Sequence, residues 1–400
     1  MKDVLKKLMS ETEFDFVPFK EIYERLKNFK QKMKDKDIPV SLIFSKVNNF
    51  YFTGTNQMQV LAIFPDNPPL LFVKRDIERA KLESPLNIIP FKSLNFLKKF
   101  VTEPRIGIEF NYLTMSEFKK LQKVFDAEFI DITRDIALLR SVKSDYELKI
   151  MQNASNIAGA TYIEALNFLK EGIREIDFGA VMFSIAQKKG HEGVLRTSSQ
   201  YFEPVSWHIL SGSSGCIHGQ YDAPASGIGL SPSFPNSAGR KKIKKGEPVM
   251  VDFGISFMGY QVDTTRMFCI GEPNELFCSF YEKSRLIENK LLNLVREGVS
   301  CGELFNLSVE FAKNMGCYKS YLGIGDYKKK FVGHGVGLET AEVPIISMNS
   351  KDVIRESMTF AIEPKFVIEN FGIVGIENTN IALKSGYKKI TKFNEDIFIA

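Results

Sequence analysis

Four carboxylates and one histidine lie inside apolar segments, at spacings that two β-hairpins would bring together. They are Asp252 and Asp263 in VMVDFGISFMGYQVDTTRMF, His334 in FVGHGVGLE, and Glu363 and Glu377 in FAIEPKFVIENFGIVGIENTNIAL. Buried acids repel one another and lose their hydration unless a cation neutralises them. A fold that buries all four must therefore supply positive charge. One imidazole among four carboxylates is the donor set of a two-metal hydrolytic site. Acids on a solvated strand face would sit in segments of more alternating polarity than VMVDF, QVDTTRMF, FAIEP and VGIEN.

The hairpin geometry follows from the turns. Met258-Gly259 reads as a two-residue turn between strands ending at Phe257 and starting at Tyr260. That register sets Gly254 opposite Asp263 and Thr265 opposite Asp252, so the two aspartates are diagonal neighbours on one face. Glu363 and Glu377 are symmetric about Asn370, in a loop of Glu369-Asn370-Phe371-Gly372, and are expected to face each other.

The chain has 400 residues, enough for two domains with cores of their own. Its 44% hydrophobic and 25% charged content is that of a soluble globular protein. The net charge of +5 is spread thinly, and the clusters at Lys241–Lys245 and Lys328–Lys330 lack interleaved aromatics, which excludes a nucleic-acid surface from the expectations. The N-terminal segment MKDVLKKLMSETEFDF has no continuous apolar run, and no stretch reaches membrane-spanning length. Five cysteines without a CxxC fit reduced thiols in a cytoplasm.

Ile22, Leu26, Phe29 and Met33 fall at helical spacing. Strands are expected at Val40–Phe44, Met58–Phe64, Leu70–Val73, Arg105–Glu109 and Phe129–Ile132, giving a mixed α/β domain over 1–139. A second domain, over 140–400, opens at Ser144-Asp145-Tyr146-Glu147, a capping box. Helices are expected after it, near Phe178–Lys189 and near Leu276–Glu297. The Gly-, Ser- and Pro-rich stretch from Gly212 to Ser237 is long for a plain connection and is expected to serve the site.

These segments together resemble the pita-bread metallopeptidases, the family of methionine aminopeptidase, aminopeptidase P and prolidase. VDFGISFMGYQVDTTR is similar to the family's two-aspartate hairpin, GHGVGLETAEVP to its Gly-His-Gly-x-Gly segment, and AIEP and GIEN to its two glutamate segments. LLRSVKSDYELKIMQNA resembles the entry to the catalytic domain, and NNFYFTGT resembles part of the creatinase-type N-terminal domain. The resemblance implies an α+β fold with a pita-bread catalytic domain. It implies two divalent ions, manganese or cobalt first and zinc or iron next. Asp252 would chelate one ion, Asp263 and Glu377 would bridge, and His334 and Glu363 would complete the second. Glu363 would also act as general base. The implied activity is that of an Xaa-Pro aminopeptidase or dipeptidase on short peptides, in a homodimer.

The chain departs from that pattern in three places. Ala341 stands where the peptidases carry a second histidine, although Glu342 and Pro344 follow as usual. Gly375 stands where aminopeptidase P and prolidase tend to have an arginine. The segment before the first aspartate strand offers two histidines, His218 ahead of His208, as the one that reaches the site. Thr265 and Arg266 are expected to orient a ligand carboxylate, and Glu342 to stand near the substrate. His191 is expected at the surface. Tyr201, Phe202 and Trp207 are pocket candidates, with aromatic packing the plainer expectation. The departures keep two other readings in play, a small non-peptide substrate and a non-catalytic binding module.

Overall fold

The computed structural model describes residues 2–12, 14–197, 205 and 207–400; Tyr201 and Phe202 lie outside them. The chain divides into two compact units, Met1–Arg140 and Ser141–Ala400.

The first unit is built on a six-stranded sheet. Its order is Asn87–Pro90, Leu70–Val73, Gln59–Ile63, Val40–Ile43, Arg105–Ile108 and Glu128–Asp131. The central strands read VSLI, VLAI and LLFV, the continuous apolar runs of strands covered on both faces. Helix Phe19–Asp35 buries Ile22, Leu26, Phe29 and Met33, the stripe expected from their spacing. Helix Lys46–Thr53, within the NNFYFTGT region, is capped by Ser45 and ends at Gly54 with φ of 73°. Gly54 is required there, because αL backbone suits a residue without Cβ.

The second unit opens with helix Asp145–Leu166. Ser144 and Glu147 form the expected capping box, satisfying two otherwise orphaned N–H groups. Helices Glu175–Lys188, Glu275–Leu292 and Cys301–Asn314 follow. One sheet has the order Phe398–Ile399, Thr265–Cys269, Val249–Asp252, His208–Ser211. Another has the order Glu342–Ser347, Phe331–Gly335, Thr359–Ile362, Asn378–Ala382, Tyr387–Lys389. Two short hairpins extend from them, Ile255–Phe257 with Tyr260–Val262 and Lys365–Ile368 with Gly372–Gly375.

Helix Asp145–Leu166 reaches the strands through Tyr162. Its ring stacks on Phe398 at 6.0 Å, and its hydroxyl meets Thr264 Oγ1 at 2.8 Å and donates to Thr264 O at 3.0 Å. The aromatic ring supplies apolar burial while its hydroxyl fixes the residue beside Asp263.

Candidate metal centre

The aspartate hairpin turns at Met258 and Gly259, with φ of 47° and 81°. Two positive φ values give the turn whose twist matches its flanking strands. Phe257 pairs with Tyr260, Ile255 with Val262, and farther on Asp252 with Thr265, in the register expected from the sequence. The glutamate strands are held by two ladders in one register. Ile362 pairs with Asn378 on one side, and Lys365 pairs with Gly375 on the other. Glu363 and Glu377 fall between the ladders, opposite each other. Ile368 faces Gly372 across Glu369, Asn370 and Phe371.

A bridge between Thr265 and Glu377 joins the two acid-bearing pairs, each N–H donating to the other's carbonyl at 3.3 Å. Thr379 adds a second clasp: Asp263 N–H donates to its hydroxyl oxygen, and that hydroxyl donates to Asp263 O, both at 2.9 Å. The ligand candidates are therefore fixed by backbone ladders and not by loop packing.

Donor atoms of Asp263, His334 and Glu377 lie within 4.8 Å of one another. His334 Nε2 is 3.4 Å from Glu363 Oε1 and 3.9 Å from Glu377 Oε1. Its Nδ1 lies 3.1 Å from Gly335 O. Donation there leaves Nε2 as the ring's ligand atom. Thr265 Oγ1 donates to Glu377 Oε2 at 2.9 Å. Glu377 Oε1 is buried and has no hydrogen-bond partner among the described residues. An unsatisfied buried oxygen is costly, and here it adjoins an imidazole nitrogen and two further acids. Two or three carboxylate oxygens and one imidazole suit a divalent cation of the manganese-to-zinc series.

Lys365 changes the other half of the cluster. Its Nζ donates to Asp252 Oδ2 at 2.9 Å, Glu363 Oε2 at 2.8 Å and Glu377 Oε2 at 3.0 Å. The side chain is 1% exposed. Lys365 is not among the residues expected at the site, although the pairing that sets Glu363 opposite Glu377 also puts it on the same face two residues on. Gly375 is its cross-strand partner. A Cβ added at Gly375 would lie 2.5 Å from Lys365 Cγ and 2.9 Å from Lys365 Cα. The glycine thus leaves the room through which the lysine stem passes.

The electrostatics follow from crowding in a buried place. Burial raises the Glu377 and Asp263 pKa values above the carboxylate range, and mutual repulsion among the acids adds to it. Burial acts the same way on Glu363, but Lys365 and His334 outweigh it and hold that carboxyl below its usual range. Burial disfavours charge on Lys365, yet Asp252, Glu363 and Glu377 hold its pKa well above the ordinary value. Burial also opposes charge on His334, while Glu363, Asp263 and Glu377 hold its pKa up at about 10. A bound divalent ion would replace that imidazole proton.

A cavity of about 370 Å³ is lined by all five residues and by His208, Tyr221 and Asp222. Leu195, Val205, Ala341 and Ile345 give it apolar wall, and exposed Lys330 also lines it. The stretch from Gly212 to Ser237 contributes Tyr221, Asp222 and Ala223, as expected of a connection that serves the site.

The two candidate histidines differ in their placement. His208 lines the cavity, stacks on Tyr221 at 4.5 Å, and lies 3.1 Å through Nε2 from Ala225 O. Burial pushes its pKa down to about 4, so the ring is neutral at pH 7. His218 is not among the lining residues and stacks on Tyr327 instead. A mostly coil segment carries no periodicity from which its facing side could be read.

Arg266 is fully buried, but it grips backbone and amide oxygens (Glu377 O, Thr265 O, Asn394 O and Asn378 Oδ1) and none of the ligand carboxylates. It positions the Glu377 strand, which corrects the expectation of a carboxylate partner. Glu342 pairs with buried Lys143 at 2.6 Å and does not line the cavity. His191 is buried, not at the surface, and accepts from Ser256 N–H at 3.0 Å. Trp207 packs near Gly179 of helix Glu175–Lys188 and is not a cavity residue.

The similarities to known proteins agree with this architecture. Residues 25–142 match the creatinase/prolidase N-terminal domain. An Xaa-Pro dipeptidase of Pyrococcus furiosus is 28% identical over 94% of this chain and 99% of its own length. The crystal structure of the prolidase from Pyrococcus horikoshii OT3 is 26% identical with a TM-score of 0.79, covering 94% of this chain and 99% of that one. An Xaa-Pro dipeptidase from Bacillus anthracis is 25% identical with a TM-score of 0.81, covering 95% of this chain and 100% of that one. Residues 149–382, which contain all five ligand candidates, match metallopeptidase family M24, and the chain belongs to that family.

Proposed function

We propose that the chain is a metal-dependent dipeptidase for short peptides, of the Xaa-Pro kind for which its relatives are named. The observation that carries this reading is the orphaned Glu377 oxygen beside His334 and Asp263 in a cavity of about 370 Å³. That volume is within the range of small-ligand sites. A bound divalent ion supplies a Lewis acid and lowers the pKa of water.

The residues of the chain divide the remaining work. Asp263, His334 and Glu377 would hold the ion, with Glu363 beside them. Lys365 keeps Glu363 ionised, so Glu363 Oε1 accepts a proton from water and returns it to the leaving nitrogen. His208 presents a neutral ring to the cavity wall. Lys330 offers a cation to the free carboxylate of a dipeptide. Manganese or cobalt suits the oxygen-rich donor set, with zinc or iron also compatible. Five free cysteines, three of them buried, fit a reducing cytoplasm. No helix among the described residues is long and apolar enough to cross a membrane. A homodimer completes the reading by family resemblance.

The test is hydrolysis of Xaa-Pro dipeptides, other dipeptides and Xaa-Pro tripeptides by protein loaded with manganese or cobalt. Cleavage of Xaa-Pro dipeptides with little action on tripeptides is expected. No turnover from fully metallated protein would count against a peptidase. Ala341 in the cavity wall favours a second reading, a small non-peptide substrate, because the histidine absent there would be an oxyanion donor, typically worth about 2.7–4 kcal/mol of barrier. Failure on the entire panel by metallated protein would favour that reading.

A further inference from the structure

We propose that the Lys365 ammonium fills one of the two cation positions, so that the chain takes up a single divalent ion, on the His334 side. The inference rests on the metal-dependent reading of the site and departs from the pair of ions that the donor set first suggests.

Three observations support it. Nζ of Lys365 meets three carboxylate oxygens within 3.0 Å, from Asp252, Glu363 and Glu377. An ammonium so placed uses the oxygens that an ion on the Asp252 side would need, and it repels any ion brought there. The stem has a path made for it, because any Cβ at position 375 would overlap Lys365 Cγ. The two sides of the cluster also differ in what they leave unfilled. Asp252 Oδ2 is taken by the lysine, whereas Glu377 Oε1, next to His334 Nε2, has no hydrogen-bond partner among the described residues.

Charge counting points the same way. Two divalent ions and the ammonium would bring five positive charges to four carboxylates. One ion and the ammonium bring three, which leaves room for a cationic or neutral substrate group. Lys365 is thus a built-in counter-ion that holds Asp252 and Glu363 in place whether or not the metal is bound.

The experiment is manganese uptake by the full-length protein, measured by elemental analysis and by electron paramagnetic resonance. Wild type is expected to hold one manganese per chain with the six-line spectrum of an isolated ion. Asp252→Asn is expected to keep that ion with less than a tenfold loss of affinity, since Asp252 contacts the lysine. Lys365→Ala is expected to take up a second ion and give a spin-coupled spectrum. Two coupled ions in wild type, or loss of the ion in Asp252→Asn, would overturn the inference, as would a single ion in folded Lys365→Ala. If Lys365→Ala does not fold, wild type and Asp252→Asn still decide. Two ions with dipeptide turnover would sink this inference and leave the proposed function standing. Wild type that binds no manganese and cleaves nothing would overturn both.

Discussion

Glu109 in the first unit and Glu377 in the second are equally buried, at 0% and 1% exposure, yet they are solvated by the protein in opposite ways. Glu109 Oε2 accepts from the N–H groups of Phe44 and Ser45 at 2.7 and 3.1 Å, and its Oε1 accepts from Asn48 Nδ2 at 2.7 Å. Arg140 donates to Asn48 Oδ1, which orients the amide. Both oxygens are filled by fixed N–H donors. Glu377 has one oxygen filled by Thr265 and Lys365 and the other unfilled, among three more acids. Burial pushes both pKa values upward. A buried, shifted carboxylate is thus no sign of function by itself. The unfilled lone pair beside other donors is the distinguishing mark.

The comparison can be broken most sharply at Asp263. Asp263→Asn is expected to lose the metal and to lower dipeptide turnover by roughly 10³-fold or more, since a catalytic metal contributes several kcal/mol. Elemental analysis beside the dipeptide assay checks it, and full metal content in the variant would contradict the ligand assignment. At the other pole, Glu109→Ala strands two backbone N–H groups and the Asn48 amide. It should cost the first unit roughly 3–5 kcal/mol of stability while leaving metal per folded chain unchanged. Urea unfolding followed by metal analysis of the folded fraction reads both.

Acid provides a contrast of sign. His208 has a folded pKa of about 4 against an ordinary value of 6.5. The unfolded chain therefore binds more protons in between, and stability present above pH 6.5 is lost as pH falls toward 4. The loss amounts to about 3 kcal/mol for a fully buried group. The pKa of Glu109 is raised, so its contribution runs the other way: full below about 4.5 and lost as pH rises through its folded value. Thermal unfolding of wild type and His208→Gln across this range should show a steeper acid-side slope in wild type. The smallest effect is expected at Thr265→Val, which removes the hydroxyl from Glu377 Oε2. Metal affinity should fall about 10–100-fold with the fold intact, measured by competition with a chelator. An unchanged affinity would mean that Lys365 alone orients that oxygen.

Much of the site was legible in the sequence because hairpins obey parity. Met258-Gly259 fixed the aspartate register, and the symmetry about Asn370 fixed the glutamates. The same symmetry contained Lys365 opposite Gly375, but a lysine in a strand reads as solvated unless its face is followed through. The cavity is lined by His208 and not by His218; the Gly- and Pro-rich segment that carries His218 has no repeat to say which side faces inward. In the first unit, helix Lys46–Thr53 escaped notice for a different reason. Nearly every residue from Val47 to Thr53 is buried, so no apolar stripe stands out from a polar face. Helix Cys301–Asn314 did carry a signal, Ser300 accepting from Glu303 N–H, that the apolar pattern alone did not emphasise.

The loop of Glu369, Asn370 and Phe371 has a consequence beyond its size. Asn370 takes φ of 59° and Phe371 N–H donates to Ile368 O at 3.0 Å, so the reversal is tight. Every facing pair downstream inherits its count from this tip. Removing one residue would slide Glu377 out of step with Glu363 and turn one arm's inward side chains outward. The length of this tip is therefore a dimension of the active centre, as heritable as any ligand and set several residues away from the nearest one.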